Sequence, residues 1–289
     1  MDRIEAMRAL VTVVAEGSFT AAASRLEMSP QLVSKYVGQL ETHLGVRLLN
    51  RTTRQVHLTE VGTRYVQQAR QILTDIEDME NQAGDDQSRA RGLLRIAAPV
   101  SFASLHLAAP LVAFQQAHPE VGIDLQLNDR KVDIVNEGFD VALRIGHLKD
   151  SSLVAKRLAT IRLAYCASPE YLRLFGTPES ETALADHRFL QYSYTEDDRH
   201  RALAAGFTCN NGEVLNNAAI AGAGIVLQPT FISGAALADG RLVEILQKEV
   251  PEPIALYAVY AHRTLVSSKI RLFIDFMGDY FGERPYWDR

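Results

Sequence analysis

Within six positions the chain places Gln31, Ser34, Lys35 and Tyr36 directly behind a Ser29-Pro30 pair. An amide can pair in bidentate fashion with adenine, a lysine suits guanine or phosphate, and a serine hydroxyl donates or accepts. This is donor and acceptor chemistry for reading base edges. A second set, Arg51-Thr52-Thr53-Arg54, puts two guanidinium groups around two hydroxyls, a combination that suits phosphate contact or minor-groove entry. A third set is scattered: Val100-Ser101-Phe102 and Arg144-Ile145-Gly146. At a helix start, the Ser101 hydroxyl and the backbone N–H groups could meet an anion, and Arg144 could pair with a carboxylate. The plain alternatives are an N-cap for Ser101 and a structural ion pair for Arg144.

Other chemistries find no support. The eight histidines include no HExxH and no i, i+4 pair, and neither a GxSxG elbow nor a P-loop occurs. Gly222-Ala223-Gly224 lacks the third glycine of a dinucleotide fingerprint and falls between a helix and a strand. Glu196-Asp197-Asp198 reads as a solvated loop. Cys166 and Cys209 have no CxxC spacing and read as two thiols in a reducing compartment; a redox switch on them is the lesser alternative. No enzyme, metal or cofactor is expected.

The first set needs a rigid platform, and the flanking sequence supplies one. Ile4, Met7, Leu10, Val11 and Val14 recur at helical spacing and stop at Glu16-Gly17. Ser18 is an N-cap for a short helix whose inner face is Phe19, Ala22, Ala23 and Leu26. After Glu27-Met28, Ser29 as N-cap and Pro30 at the first helical position start a third helix. Its apolar stripe is Val33, Val37, Leu40 and Leu44, and it ends at Gly45. Two short helices joined by a three-residue turn form a helix-turn-helix, whose second helix presents its first turns to the major groove. Residues 46–59 then read as two short strands around the tip Thr52 to Gln55, a wing.

From Thr59 to about residue 84, Val61, Tyr65, Ala69, Ile72, Ile76 and Met79 lie at spacings of 4, 4, 3, 4 and 3. That narrow seam is close to heptad spacing and runs along a helix of roughly 37 Å, which calls for a partner helix. The polar, glycine-bounded stretch 84–92 reads as a hinge. Net charge is −5, yet residues 1–62 carry seven Lys or Arg against six Asp or Glu. A local basic surface suffices for phosphate, while an acidic remainder limits indiscriminate sticking.

Beyond residue 92 apolar strand runs alternate with helical patterns, the mark of an α/β domain. Strands are expected at 93–98, 122–127, 141–145, 153–158, 162–167, 189–194, 224–227 and 254–262. Helices are expected at 101–117, 132–137, 169–175, 213–221, 231–238 and 265–281. Ligands in such sheets sit beyond the carboxyl ends of strands. That rule selects Val100, Ser101, Phe102, Arg144, Gly146, Ser168 and Gly224, with Asn210 and Pro229 completing the candidate set.

The run Gly17-Ser18-Phe19-Thr20-Ala21-Ala22-Ala23, then Leu26, Ser29 to Ser34, Leu40-Glu41, Leu44-Gly45, Leu48-Leu49, Arg51 and Leu58-Thr59-Glu60-Val61-Gly62 resembles the LysR-type transcriptional regulators. Leu49 stands for a usual Phe and Val37 for a usual Ile. Ser29-Pro30-Gln31-Leu32 replaces the common Ser-Gln-Ser-Ala, which alters the DNA-reading edge. The resemblance implies a winged helix-turn-helix over 1–58 and a dimerising linker helix over 59–84. A hinge over 85–92 and an α/β effector domain over 93–289 follow. That domain would have two subdomains like those of periplasmic binding proteins, 93–162 with 263–289 and 163–262. Implied partners are double-stranded operator DNA, a small-molecule effector (an organic or aromatic acid on the reading of Ser101 and Arg144), further copies of the chain in a dimer through the linker helix and a tetramer, and RNA polymerase. With no run of eighteen apolar residues and no signal segment, a cytoplasmic protein with no membrane contact is expected. The competing reading is an α/β solute-binding protein or enzyme whose N-terminal helices only pack.

Overall fold

The computed structural model describes residues 2–51, 56–83, 90–147, 153–194, 203, 205–261, 266–283 and 285–288. The wing-tip candidates Thr52, Thr53 and Arg54, and residues 85–89 of the expected hinge, lie outside the described residues. The chain divides into two compact units, Met1–Ser88 with Val135–Gly138, and Arg89–Ile134 with Phe139–Arg289.

The first unit runs α1 (Arg3–Glu16), α2 (Phe19–Arg25), α3 (Pro30–Leu44), β1 (Leu49–Arg51), β2 (Val56–Leu58) and α4 (Glu60–Ala83). Its boundaries follow local chemistry. Asp2 caps α1 by accepting from the Ile4 and Glu5 amides, and Gly17 ends the helix in the left-handed region at φ +65°. Ser18 accepts from Thr20 N and Ala21 N, while Ser29 accepts from Leu32 N with Pro30 beside it. Gly45, at φ +68°, closes α3 as its N–H bonds back to the last turn. Ala6, Ala9, Leu10, Val13, Ala22, Ala23, Val33, Val37 and Leu40 form the core, joined by Leu48, Leu49 and Val66.

The second unit holds two five-stranded sheets. The first has order β4-β3-β5-β12-β6, from β3 (Gly92–Ala98), β4 (Val121–Leu127), β5 (Val141–Gly146), β6 (Leu153–Ile161) and β12 (Ile254–Ala261). β3 runs parallel to β4 and β5, while β12 is antiparallel to β5 and β6. α5 (Val100–His106), α6 (Ala108–Ala117) and α11 (Ser268–Phe281) contribute to its main core, and α7 (Ile134–Glu137) lies between β4 and β5 in the chain. The second sheet has order β11-β7-β10-β8-β9, from β7 (Leu163–Ala167), β8 (Phe189–Tyr192), β9 (Ala205–Cys209), β10 (Ile225–Pro229) and β11 (Val243–Ile245). Ala164 and Cys166 face one core, with residues of α9 (Gly212–Ile220) and α10 (Thr230–Ala238), and Tyr165 and Ala167 face the other, with Tyr171 of α8 (Pro169–Phe175). Alternate residues of one strand thus serve opposite faces.

Four sequence expectations are corrected. The strand expected at 254–262 within the second subdomain belongs to the first sheet, because its partners are β5 and β6. The helix expected over 101–117 is two helices parted at Leu107. Pro110 has no N–H for the His106 carbonyl and its ring crowds that oxygen, so the helix cannot run through. β9 and β11 were not expected: β9 carries Gly206 within a five-residue run, and β11 is three residues long.

Candidate DNA interface and effector cleft

In the first unit a short network ties the third helix to the wing, and the wing to the fourth helix. Glu41 Oε1 accepts from the Leu48 and Leu49 amides at 2.8 and 3.1 Å, tying α3 to the first wing strand. Thr59 Oγ1 donates to the Arg47 carbonyl at 2.9 Å and accepts from Gly62 N at 2.9 Å, tying the same strand to the start of α4. Gly62 allows the contact: a Cβ there would stand 2.0 Å from the Leu48 carbonyl oxygen. With Val33, Val37 and Leu40 turned inward, Gln31 and Lys35 are exposed and Ser34 is half-buried. Tyr36 packs partly against the core, and the Ser18 and Ser29 hydroxyls are taken up as caps. The structure thus brings Gln31, Ser34 and Lys35 together on one side of α3, next to Pro30 in its first turn. Arg51 ends β1, which pairs with β2 through Arg51 opposite Val56. Lys35 also shares an open concavity with Gly38, Gln39, Thr42 and His43, residues the sequence reading did not single out.

α4 carries two stripes. Gly62, Val66, Ala69 and Leu73 are buried, whereas Val61, Ile72 and Met79 are 43%, 45% and 61% exposed. Of the expected seam, Ala69 is therefore used within the unit, while Val61, Ile72 and Met79 form an exposed apolar line on one side of the helix.

In the second unit the expected cleft corresponds to the place where strand ends of the two sheets approach each other. Parallel pairing puts the ends of β3, β4 and β5 at one edge of the first sheet, and the ends of β8, β9 and β10 at one edge of the second. These edges meet. A Cβ on Gly212 would lie 3.8 Å from Ser101 Oγ and 3.2 Å from Gln228 Oε1, and the Gln228 amide donates to the Gly212 carbonyl at 3.2 Å. Ser101 is 5% exposed and its hydroxyl has no hydrogen-bond partner among the described residues. The amide at the start of α5 is not open to a ligand: Val100 N donates to Asp129 Oδ1 at 2.9 Å. Burial raises the Asp129 carboxyl above its ordinary value, against the lowering effect of that bond. Burial also raises the Tyr192 hydroxyl, reinforced by the negative charge of Asp129 from the opposite sheet.

The other candidates are dispersed. Phe102 is 0% exposed and packs edge-on against Phe231 and Trp287, so it is a core residue rather than a lining one. Arg144 donates to the Val132 carbonyl, on the sheet face of Ala142 and Val132, opposite the face of Val141 and Leu143 on which Phe102 packs. Burial lowers its pKa and Asp133 pulls the other way. Gly146 ends β5 at φ +136°. Asn210 and Pro229 follow or end strands at the cleft edge, but Ser168 and Gly224 do not. β7 runs antiparallel to β10, with Leu163 opposite Pro229, so its carboxyl end points away from the cleft. Ser168 there caps α8, and a Cβ on Gly224 would meet the Arg188 carbonyl oxygen at 2.3 Å. Sequence reasoning missed Asp129, Tyr192, Gly212 and Gln228. Asp129 and Tyr192 lie at strand ends that the carboxyl-end rule covers, and Gln228 is a polar residue in an apolar run.

The Cys166 thiol is buried and pushed up to about 12, chiefly by desolvation, and Cys209 is half-buried. No group of His, Cys, Asp and Glu among the described residues could hold a metal ion, and no helix there is long and apolar enough to cross a membrane.

Comparison with known proteins finds a family match for each of the two parts of the chain. Residues 4–63 match the bacterial regulatory helix-turn-helix protein family of lysR type, and residues 87–282 match the LysR substrate binding domain. An uncharacterized HTH-type transcriptional regulator of Haemophilus influenzae is 35% identical over 281 residues, covering 93% of this chain and 98% of its own length. The HTH-type transcriptional regulator DmlR of Escherichia coli is 34% identical, with 96% and 94% covered. Among solved structures, CrgA, a LysR-type transcriptional regulator from Neisseria meningitidis, superposes with a TM-score of 0.59 at 32% identity, covering 95% of this chain and 97% of that one.

Proposed function

The chain belongs to the LysR-type transcriptional regulators, and from that premise we propose that α3 reads operator DNA through Gln31, Ser34 and Lys35 while a small molecule in the cleft between the two sheets modulates promoter activity. The observation that carries the first half is the polar edge of α3, held to the wing by Glu41, with the wing in turn tied to α4 through Thr59 and Gly62. Arg51 and the threonines and arginine after it serve phosphate. The exposed line Val61, Ile72 and Met79 supports pairing of α4 with a second copy, which would supply two reading heads for a two-fold operator. A gel shift on the DNA upstream of its own gene tests the assignment. Lys35→Ala and Arg51→Ala should each weaken the shift with folding intact; unchanged shifts for both would remove α3 and the wing from the interface.

Ser101 Oγ, Gln228 and the facing ends of β4 and β8 support the cleft as the effector site. An organic or aromatic acid has one obstacle there, the Asp129 carboxylate already on the Val100 amide. Calorimetry with a panel of organic acids on the wild type and Arg144→Ala is decisive. An acid held more tightly by the wild type supports an acid effector bound through Arg144, and the lack of any such acid ends that reading.

A further inference from the structure

Five glycines lie inside helices of the described residues: Gly38, Gly62, Gly212, Gly234 and Gly278. A mid-helix glycine is destabilising relative to alanine, so each calls for a reason. Three have one within the chain. A Cβ would stand 2.0 Å from Leu48 O at Gly62, 2.6 Å from Ile232 Cδ1 at Gly212 and 3.3 Å from Trp287 O at Gly234, whereas at Gly278 it would make only ordinary van der Waals contact, 4.0 Å from Leu158 Cδ2. At Gly38 none of the described residues beyond its own helix lies within 4 Å of that position, and its φ is an ordinary helical one. The fold itself does not use the space that a side chain would fill.

The position of Gly38 says what could use it. Val33, Val37 and Leu40 are buried in the core of the first unit. Gln31, Lys35, Gly38 and Thr42 recur three and four residues apart on the opposite side, and Gln31, Lys35 and Thr42 are exposed. Thr42 Oγ1 donates to the Gly38 carbonyl at 2.9 Å, which holds that hydroxyl against the helix backbone. Lys35, Gly38, Gln39, Thr42 and His43 thus line one open concavity on the helix that, on the functional reading above, enters the groove. We infer that Gly38 is a close-approach position for duplex DNA: its missing side chain lets the backbone of α3 come up against the duplex, with Lys35 and Gln39 as flanking donors. Side chains as large as those of its neighbours would hold the helix away, and even a methyl would lift the shortest contacts.

The inference rests on α3 being the DNA-reading helix, and its test separates the two. The full-length wild type is used to enrich duplexes from a random-sequence library, and an enriched duplex then serves as probe for Gly38→Ala and for Gly278→Ala. Gly38→Ala should raise the melting temperature by about 2–4 °C yet weaken binding about tenfold, equivalent to about 1.4 kcal/mol. Gly278→Ala lies outside the DNA-binding unit and should leave affinity at the wild-type value. If Gly38→Ala melts higher and binds as tightly as the wild type, the close-approach role is wrong. If it melts lower, the gap has an intramolecular use and the argument fails at its first step. If the wild type enriches no duplex, the DNA-binding reading falls, and this inference with it.

Discussion

Ser29 and Ser101 both stand at helix starts and look alike in the sequence, but their surroundings are opposite. Ser29 is exposed and its hydroxyl accepts from the Leu32 amide three residues on, closing the helix start with local material. Ser101 is buried with its hydroxyl unpartnered among the described residues, and the helix start beside it is closed by Asp129, 29 residues away. The difference extends to the two units. In the first, the bonds that tie α3 to the wing and the wing to α4 span 7, 8 and 12 residues. In the second, Arg95 N donates to Asp140 across 45 residues and Lys269 to the Leu93 carbonyl across 176. A helix placed by near neighbours depends little on the rest of the chain for its position. The second unit, held by distant segments, depends on the chain's global arrangement instead.

The largest effect should come from breaking the longest of these links. Lys269 is 3% exposed; its ammonium donates to Leu93 O at 2.9 Å and lies 3.6 Å from Asp140 Oδ2. Lys269→Ala leaves a buried carboxylate without its cation and should cost about 3–5 kcal/mol in urea unfolding of the second unit. A loss under about 1 kcal/mol would show that the long-range pair is not what holds the sheet to α11. In the first unit Gly62→Ala should cost about 2–3 kcal/mol, since the new Cβ meets a backbone oxygen that cannot rotate away. Its operator affinity should fall as well, because Leu48, whose amide is held by Glu41 of α3, meets α4 there. Normal stability with Gly62→Ala would mean that α4 shifts freely against the wing.

Asp129→Asn probes the long-range closure at Ser101. It keeps an acceptor for Val100 N but weakens it, at about 1 kcal/mol. Its pH dependence is more telling. Burial raises the Asp129 carboxyl in the folded chain, so the folded state binds more protons there than the unfolded one. This contribution to stability therefore grows as pH falls from neutrality toward the ordinary carboxylate value, and levels off below it. The stability of the wild type relative to Asp129→Asn should improve as pH falls from neutrality toward the ordinary carboxylate value. A difference that stays constant over that range would mean the carboxyl is not buried in solution.

What was legible in the sequence follows the same division. Ser18, Ser29-Pro30 and Gly45 state their roles within a few residues, so the helices of the first unit and the exposed edge of α3 could be read directly. Most strands of the second unit showed in their apolar runs, but their direction and partners did not. Nothing near Ser168 reveals that β7 is antiparallel to β10, and that single reversal moves Ser168 and Gly224 out of the cleft. Arg144 likewise sits in the strand where it was expected, on the face away from Phe102. Asp129 could have been found, since it follows β4 as directly as Ser101 follows β3. The expectation of a ligand anion at α5 passed over the possibility that the chain provides the anion itself.

The smallest expected effect lies in the turn between α2 and α3, where the local rules themselves are broken. Glu27 adopts φ +55°, in the left-handed region, while Met28 N bonds back to the Ala23 carbonyl at 2.9 Å to close the turn. A residue with a Cβ is strained there by about 1 kcal/mol, and glycine is not. Glycine also makes the unfolded chain more flexible, which takes back part of the gain. Glu27→Gly should therefore stabilise the first unit by only about 0.5 kcal/mol, read as a small rise in its denaturation midpoint. Glu27→Ala removes the same charge and keeps the strain, so it should not stabilise. The two variants should change DNA affinity alike, through the lost negative charge near α3, and differ only in stability. If alanine stabilises as much as glycine, the charge rather than the backbone governs this turn, and the first unit is less purely a product of its local geometry than Ser29 suggests.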